Sequence, residues 1–276
     1  MSQAMAAGRP ASGGQAGRWD ALHAEWTKLR TVAGPAWLLA ATMVLTVAVS
    51  GAAAMAVRCP AGLACPVDTA KLSLTGIELG QAVIAIVAVL GIGTEYSTGM
   101  IRITLAAMPR RPIVLAAKGA IVGGLVLADG SIAVLGCVLV GRLILPGNGF
   151  TPAHGYAALS LGDGPTLRAA AGSVLYLALI ALLSLGIATA VRDSATAIGV
   201  VLGLLYLFPI IAGVVTDPHW QRHLQQIGPM TAGLAIQATT NLRSLPIGPW
   251  AGLGVLAAWA AGALLLGGVL LQRRDA

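Results

Sequence analysis

The sequence predicts an all-α, polytopic membrane protein: six transmembrane helices behind an N-terminal interfacial helix, with both termini cytoplasmic. Three observations predict it. Of 276 residues, 57% are hydrophobic and only 10% are charged, whereas a soluble domain carries about 25% charged residues. Six apolar segments have close to the roughly 20 residues that a bilayer core of about 30 Å requires. The 17 Lys and Arg residues sit at the ends of those segments rather than on one patch, as the positive-inside rule describes.

Residues 1–18, mostly Ala, Gly, Ser and Gln with scattered Arg, read as a disordered cytoplasmic tail. Residues 19–276 read as a single membrane domain. Trp19, Leu22, Trp26 and Leu29 recur at helical spacing, with charges on the other face. Two Trp on the apolar face suit a helix lying in the membrane interface; a cytoplasmic extension of the first span is the other reading.

The spans are expected at about 36–57, 74–94, 113–140, 169–191, 195–215 and 250–271. The run Ala52-Ala53-Ala54-Met55-Ala56 looks like a signal cleavage site, but its apolar segment is too long for a signal h-region and is read as a retained span. With the N-terminus inside, Arg58, Lys71, Arg142, Arg168, Arg222 and Arg243 fall outside and the other eleven of the 17 basic residues fall inside. This bias accounts for the net charge of +7 without a nucleic-acid partner; the expected surroundings are membrane lipid.

Outside, Cys59 and Cys65 share one loop and either close a small disulfide ring or stay as two thiols. Four metal ligands are not at hand there, so no metal site is expected. Residues 141–168, rich in Gly and Pro, are assigned no fold. Trp220, Leu224 and Ile227 share one helical face, and Pro229 opens a second helical stretch from Met230 to about Leu242, with Pro246 and Pro249 ending the segment. Two short amphipathic helices dipping into the outer leaflet fit that pattern, as does a folded surface loop. Inside, Arg192-Asp193-Ser194 reads as a tight turn with Ser194 as the N-cap.

Signatures of catalysis are sparse. There is no G-x-x-x-x-G-K-[ST], H-E-x-x-H or G-x-S-x-G, and all four histidines lie outside the spans. Glu78 and Asp129 lie within spans, in the outer half. A charge in lipid costs about 2.5–3.5 kcal/mol and so faces a partner, a cavity or a pathway. The two carboxylates are read either as the outer mouth of a substrate route or as hydrogen bonded to neighbouring helices, with a shifted span end that puts Glu78 in the interface as a further reading.

The most polar inner connection runs from Gly93 to Arg111. Ser97 or Thr98 is expected to cap a helix from Gly99 to Met108, ended by Pro109. Ile101, Leu105 and Met108 form one apolar stripe, and Met100, Ile103 and Ala107 another, while Arg102 reaches back toward Glu95. One stripe calls for a partner protein; alternatively, Arg102, Arg110 and Arg111 bind lipid headgroups.

The chain resembles the permease subunits of bacterial type 2 ABC exporters, especially those of actinobacteria. The resemblance is carried by Glu25-Trp26-Thr27-Lys28-Leu29-Arg30-Thr31, by Glu95-Tyr96-Ser97-Thr98-Gly99-Met100-Ile101-Arg102 with Leu105-Ala106-Ala107-Met108-Pro109-Arg110-Arg111, and by Pro229-Met230-Thr231-Ala232-Gly233-Leu234-Ala235-Ile236. Six spans in the same order extend it over nearly the whole chain. It implies a connecting helix holding Trp19, Trp26, Lys28 and Arg30. It implies a coupling helix that docks on an ATPase through Glu95, Tyr96, Gly99, Arg102, Leu105, Arg110 and Arg111. It implies re-entrant helices over 217–245. The chain would have no cofactor and no catalysis of its own, with ATP and Mg on a separate ATPase subunit. Two ATPases and a second permease, identical or paralogous, would complete the unit in the plasma membrane. Ser97 and Thr98 depart from relatives, which often carry a basic residue there. Two other functions stay open: a proton-coupled secondary transporter using Asp129, and a non-transporting anchor for a cytoplasmic partner.

Overall fold

The computed structural model describes residues 33–60, 65–100 and 111–273. Among these, every regular element is helical and there is no strand. Six helices are long and apolar enough to cross a membrane, so the chain is a membrane-embedded, multi-pass protein. They are α1 (Ala33–Ala56), α3 (Ile77–Ser97), α4 (Arg111–Ile144), α5 (Gly164–Val191), α6 (Ser194–Val214) and α9 (Pro249–Arg273). Three short helices join them: α2 (Thr69–Ser73), α7 (Pro218–Ile227) and α8 (Pro229–Gly233). The expected interfacial helix, with Trp19, Trp26, Lys28 and Arg30, lies outside the described residues.

The bundle is built around α5. Tyr176, Leu177, Ile180, Leu183 and Leu185 of this helix are all but inaccessible. It packs most extensively against α9, then against α3 and α4. Close approach depends on small residues, because helices in lipid associate by packing rather than by expulsion of water. A Cβ on Gly186 would stand 2.5 Å from the backbone carbon of Ala263, and one on Gly267 would stand 2.6 Å from the Gly186 carbonyl oxygen. The two glycines together let α5 and α9 touch backbone to backbone.

Helix ends follow from local chemistry. The second span begins at Ile77, three residues later than its apolar run, because Leu74-Thr75-Gly76 forms a turn. Gly76 is pressed so tightly on α1 that its Cβ would lie 1.9 Å from the Thr46 carbonyl oxygen. Its N–H donates to Ser50 Oγ at 3.0 Å. Asp193, not Ser194, caps α6: its carboxylate accepts from the Thr196 N–H at 2.8 Å and the Thr196 hydroxyl at 2.6 Å. These bonds hold the exposed Asp193 carboxyl below its usual range. The α4 helix has 34 residues, about 51 Å at 1.5 Å each, so it outruns a hydrocarbon core of about 30 Å and must tilt or project.

Successive spans sort the connections onto two ends of the bundle. One end carries Thr94–Met100, the start of α4, the α5–α6 turn and the end of α9. The other carries residues 57–76, 145–163 and 215–248. Residues 145–163, left without a fold from sequence, contain two 3-10 turns, Leu145–Asn148 and Pro152–His154. The α7 helix forms where expected, with Trp220 and Ile227 exposed and no residue buried. The second stretch is shorter than expected. Helix α8 stops at Gly233, a 3-10 turn covers Leu234–Gln237, and Ala238 is extended. Its residues are buried rather than amphipathic: Met230, Ala232, Leu234 and Ile236 all enter the core. Pro249 starts α9 instead of ending the segment before it.

Candidate functional site

At the first end of the bundle, residues flanking the polar connection form a cluster rooted in four helices. The last turn of α3 presents Glu95 inward, where 5% of it is exposed; Lys118, two turns into α4, is 2% exposed. Lys118 Nζ donates to Glu95 Oε1 at 2.7 Å. Desolvating two charges is expensive, and only close geometry offsets it. Glu95, expected on a docking surface and within reach of Arg102, is thus turned into the bundle.

Tyr96, half-buried, lies beneath the Arg192 guanidinium, whose carbon is 5.7 Å from the ring centroid. Arg192 ends α5 in a left-handed conformation, φ 65°, a position that usually favours glycine. Gly93 is held against Ser194, since a Cβ there would fall 2.1 Å from Ser194 Oγ. Arg111 Nη1 donates to the Leu271 carbonyl at 2.7 Å and to that of Gln272 at 3.3 Å. Its cation meets the partial negative charge at the C-terminus of α9.

Ser97 and Thr98 close α3. Their hydroxyls donate back to the Thr94 carbonyl at 3.1 and 2.7 Å, Thr98 is the C-cap, and Gly99 follows at φ 70°. Among the expected coupling residues, Tyr96 and Gly99 stay near the surface, Glu95 is buried, and Arg111 is engaged with α9. Arg102, Leu105 and Arg110 lie outside the described residues.

Glu78 and Asp129 stand apart from this cluster, in α3 and α4. Glu78 stands in the first turn of α3. Its backbone carbonyl accepts from Tyr206 Oη at 2.6 Å and Gln81 Nε2 at 3.0 Å. Gln81 in turn accepts from the buried Tyr176 hydroxyl, so α3, α5 and α6 share one polar knot. Asp129 is buried, and its Oδ2 has no hydrogen-bond partner among the described residues. The next residue, Gly130, rests on Leu177, so Asp129 stands level with the middle of α5.

Cys59 and Cys65 are joined as a disulfide, Cα atoms 6.0 Å apart. The Tyr156 hydroxyl donates to the Cys65 carbonyl, and the Cys59 N–H donates to the Asn148 carbonyl at 2.8 Å. Asp68 ties the same end together. It accepts from the Thr239 N–H at 2.5 Å, the Thr239 hydroxyl at 2.7 Å, the Thr240 N–H at 3.0 Å and the Lys71 N–H at 3.1 Å. Burial raises the Asp68 carboxyl, but these donors outweigh it and hold the group below its ordinary value. His219 and His223 on α7 stack edge to face at 4.4 Å. No group of three or more metal-ligating side chains occurs among the described residues.

Sequence reasoning missed Lys118, the Asp68 clamp and the Gln81–Tyr176–Tyr206 knot. Lys118 had a signal: it stands five residues inside an apolar run, where a lysine needs a buried partner. No protein-family model matches the chain, and no curated protein matches it.

Proposed function

We propose that this chain is the membrane-spanning subunit of an ATP-driven exporter, powered by a separate ATPase that docks on the connection between α3 and α4. One observation carries the reading. The two ends of that connection, Glu95 in α3 and Lys118 in α4, are locked together inside the bundle, and Tyr96 beside them touches the α5–α6 turn through Arg192. A push delivered to that connection would reach four spans. The six spanning helices and the lack of a P-loop sequence also support a transporter whose motor is another chain. In this reading that end of the bundle is cytoplasmic, the disulfide-bearing end faces outward, and the membrane is the plasma membrane. Two permeases would enclose the pathway, and ATP and Mg would sit on the paired ATPases. The cargo would be amphiphilic, in keeping with aliphatic span surfaces.

The test is reconstitution of the full chain with candidate P-loop ATPase chains from the same genome. A complex should form, and its hydrolysis should respond to amphiphiles. A second reading has one observation of its own: the buried Asp129 carboxylate, whose Oδ2 has no partner among the described residues, suits a proton-coupled secondary transporter. That reading expects flux that collapses with an uncoupler, is lost in Asp129→Asn and needs no ATPase.

A further inference from the structure

We infer that Lys118 is a positioning residue for coupling: its buried bond to Glu95 makes the end of α3 and the start of α4 move as one rigid body, with the Arg192 turn as a third fixed point. The inference rests on the exporter reading but adds a residue and a device to it. Four observations support it. The pair is almost wholly excluded from solvent and its N–O distance is 2.7 Å. The direct packing between α3 and α4 is otherwise slight, because α4 rests mainly on α5 and α1. The ion pair adds a direct link between the two roots, which otherwise meet chiefly through their shared packing on α5 and α1. Arg192 leans over the Tyr96 ring next door, and Gly93 admits Ser194 against the α3 backbone. Arg111 pins the first residue of α4 to the end of α9.

A buried ion pair is suited to this role rather than to bulk stability. Apolar residues of the same volume are often as stable, but they slide, whereas two opposite charges in a low dielectric hold one register. Displacement of either root should therefore drag the other, and the Tyr96–Arg192 contact should pass it to α5 and α6.

The experiment uses the full chain in lipid nanodiscs, alone and with the P-loop ATPase chain from the same genome that co-purifies with it. Three forms are compared: wild type, the neutral pair Glu95→Gln/Lys118→Met, and the exchanged pair Glu95→Lys/Lys118→Glu. The neutral pair keeps both shapes and removes both charges of the ion pair, so it should fold. Amide hydrogen exchange over 93–100 and 111–119 should rise about tenfold in the neutral pair and return toward wild type in the exchanged pair. ATPase response to the permease should fall about tenfold in the neutral pair and recover with the exchange. Unchanged exchange in the neutral pair overturns the clasp. Faster exchange with an unchanged ATPase response overturns its part in coupling and leaves the exporter reading standing. A wild-type chain that neither binds nor stimulates any P-loop ATPase chain from the same genome overturns the exporter reading itself, and the coupling role with it.

Discussion

Lys118 Nζ lies 2.7 Å from Glu95 Oε1, joining two helices through side chains 23 residues apart in sequence and nearly sealed from solvent. Removing one partner leaves the other charge buried. Lys118→Met and Glu95→Gln are each expected to destabilise the protein by about 3–5 kcal/mol. The double variant should lose much less, because no lone charge remains. Unfolding of the purified protein in detergent by heat or denaturant measures all three, and the coupling energy of the cycle is the test.

The Asp68 carboxylate gathers donors from Lys71, Thr239 and Thr240, binding two connections 171 residues apart. Asp68→Asn should cost about 1.5–3 kcal/mol, the scale of a hydrogen bond to a charged group. The sign of its pH dependence follows from the depressed carboxyl. The stabilisation is fully present above the unfolded value of about 3.9, and it is lost as pH falls through the lower folded value. Melting curves should show wild type and Asp68→Asn far apart at pH 7 and converging at the acid end.

The disulfide closes a ring between residues six apart. Chain-entropy scaling puts its contribution at about 2 kcal/mol for so short a ring. Cys59→Ser/Cys65→Ser should lower the melting temperature without loss of insertion. A membrane-impermeant maleimide should label the wild type only after reduction, and then from the outer side. The buried Cys137 should stay unlabelled throughout.

Glycines separate into those that touch and those that do not. Gly186→Ala would force the added carbon to within 2.5 Å of the Ala263 backbone and should cost about 1–3 kcal/mol. Gly199→Ala and Gly203→Ala meet nothing within 4 Å. Alanine there should stabilise α6 by up to about 1 kcal/mol. Folded yield and melting temperature of the three variants decide this contrast.

The spans were legible because their signal is a sum over some twenty residues: all six appear where apolar runs announce them, the third running eight residues further than expected, to Asn148. Single contacts were not. Leu74 is apolar and so extended the expected second span, yet Gly76 must turn beneath Thr46. Ser194 looked the better N-cap until Asp193, one residue earlier, took the Thr196 N–H. Lys118 falls among the eleven basic residues of the inner side, because charge counting assigns every lysine near a span end to water. Asp68 could not be paired with Thr239 from sequence, since nothing local in either segment marks the other. The expected helix from Met230 to Leu242 failed for a related reason. Its apolar residues fit a helical period, but they are spent on filling the core beside Tyr176, where Gly233 fits against the ring, rather than on a continuous helix.

The most direct test of the exporter reading is co-expression of the full chain with candidate P-loop ATPase chains from the same genome, followed by purification and reconstitution in proteoliposomes. The reading predicts a stable complex of two ATPases and two permeases, with ATP-dependent efflux of an amphiphile that persists when an uncoupler abolishes the proton gradient. Efflux from the chain alone that collapses with the uncoupler and is lost in Asp129→Asn would contradict it.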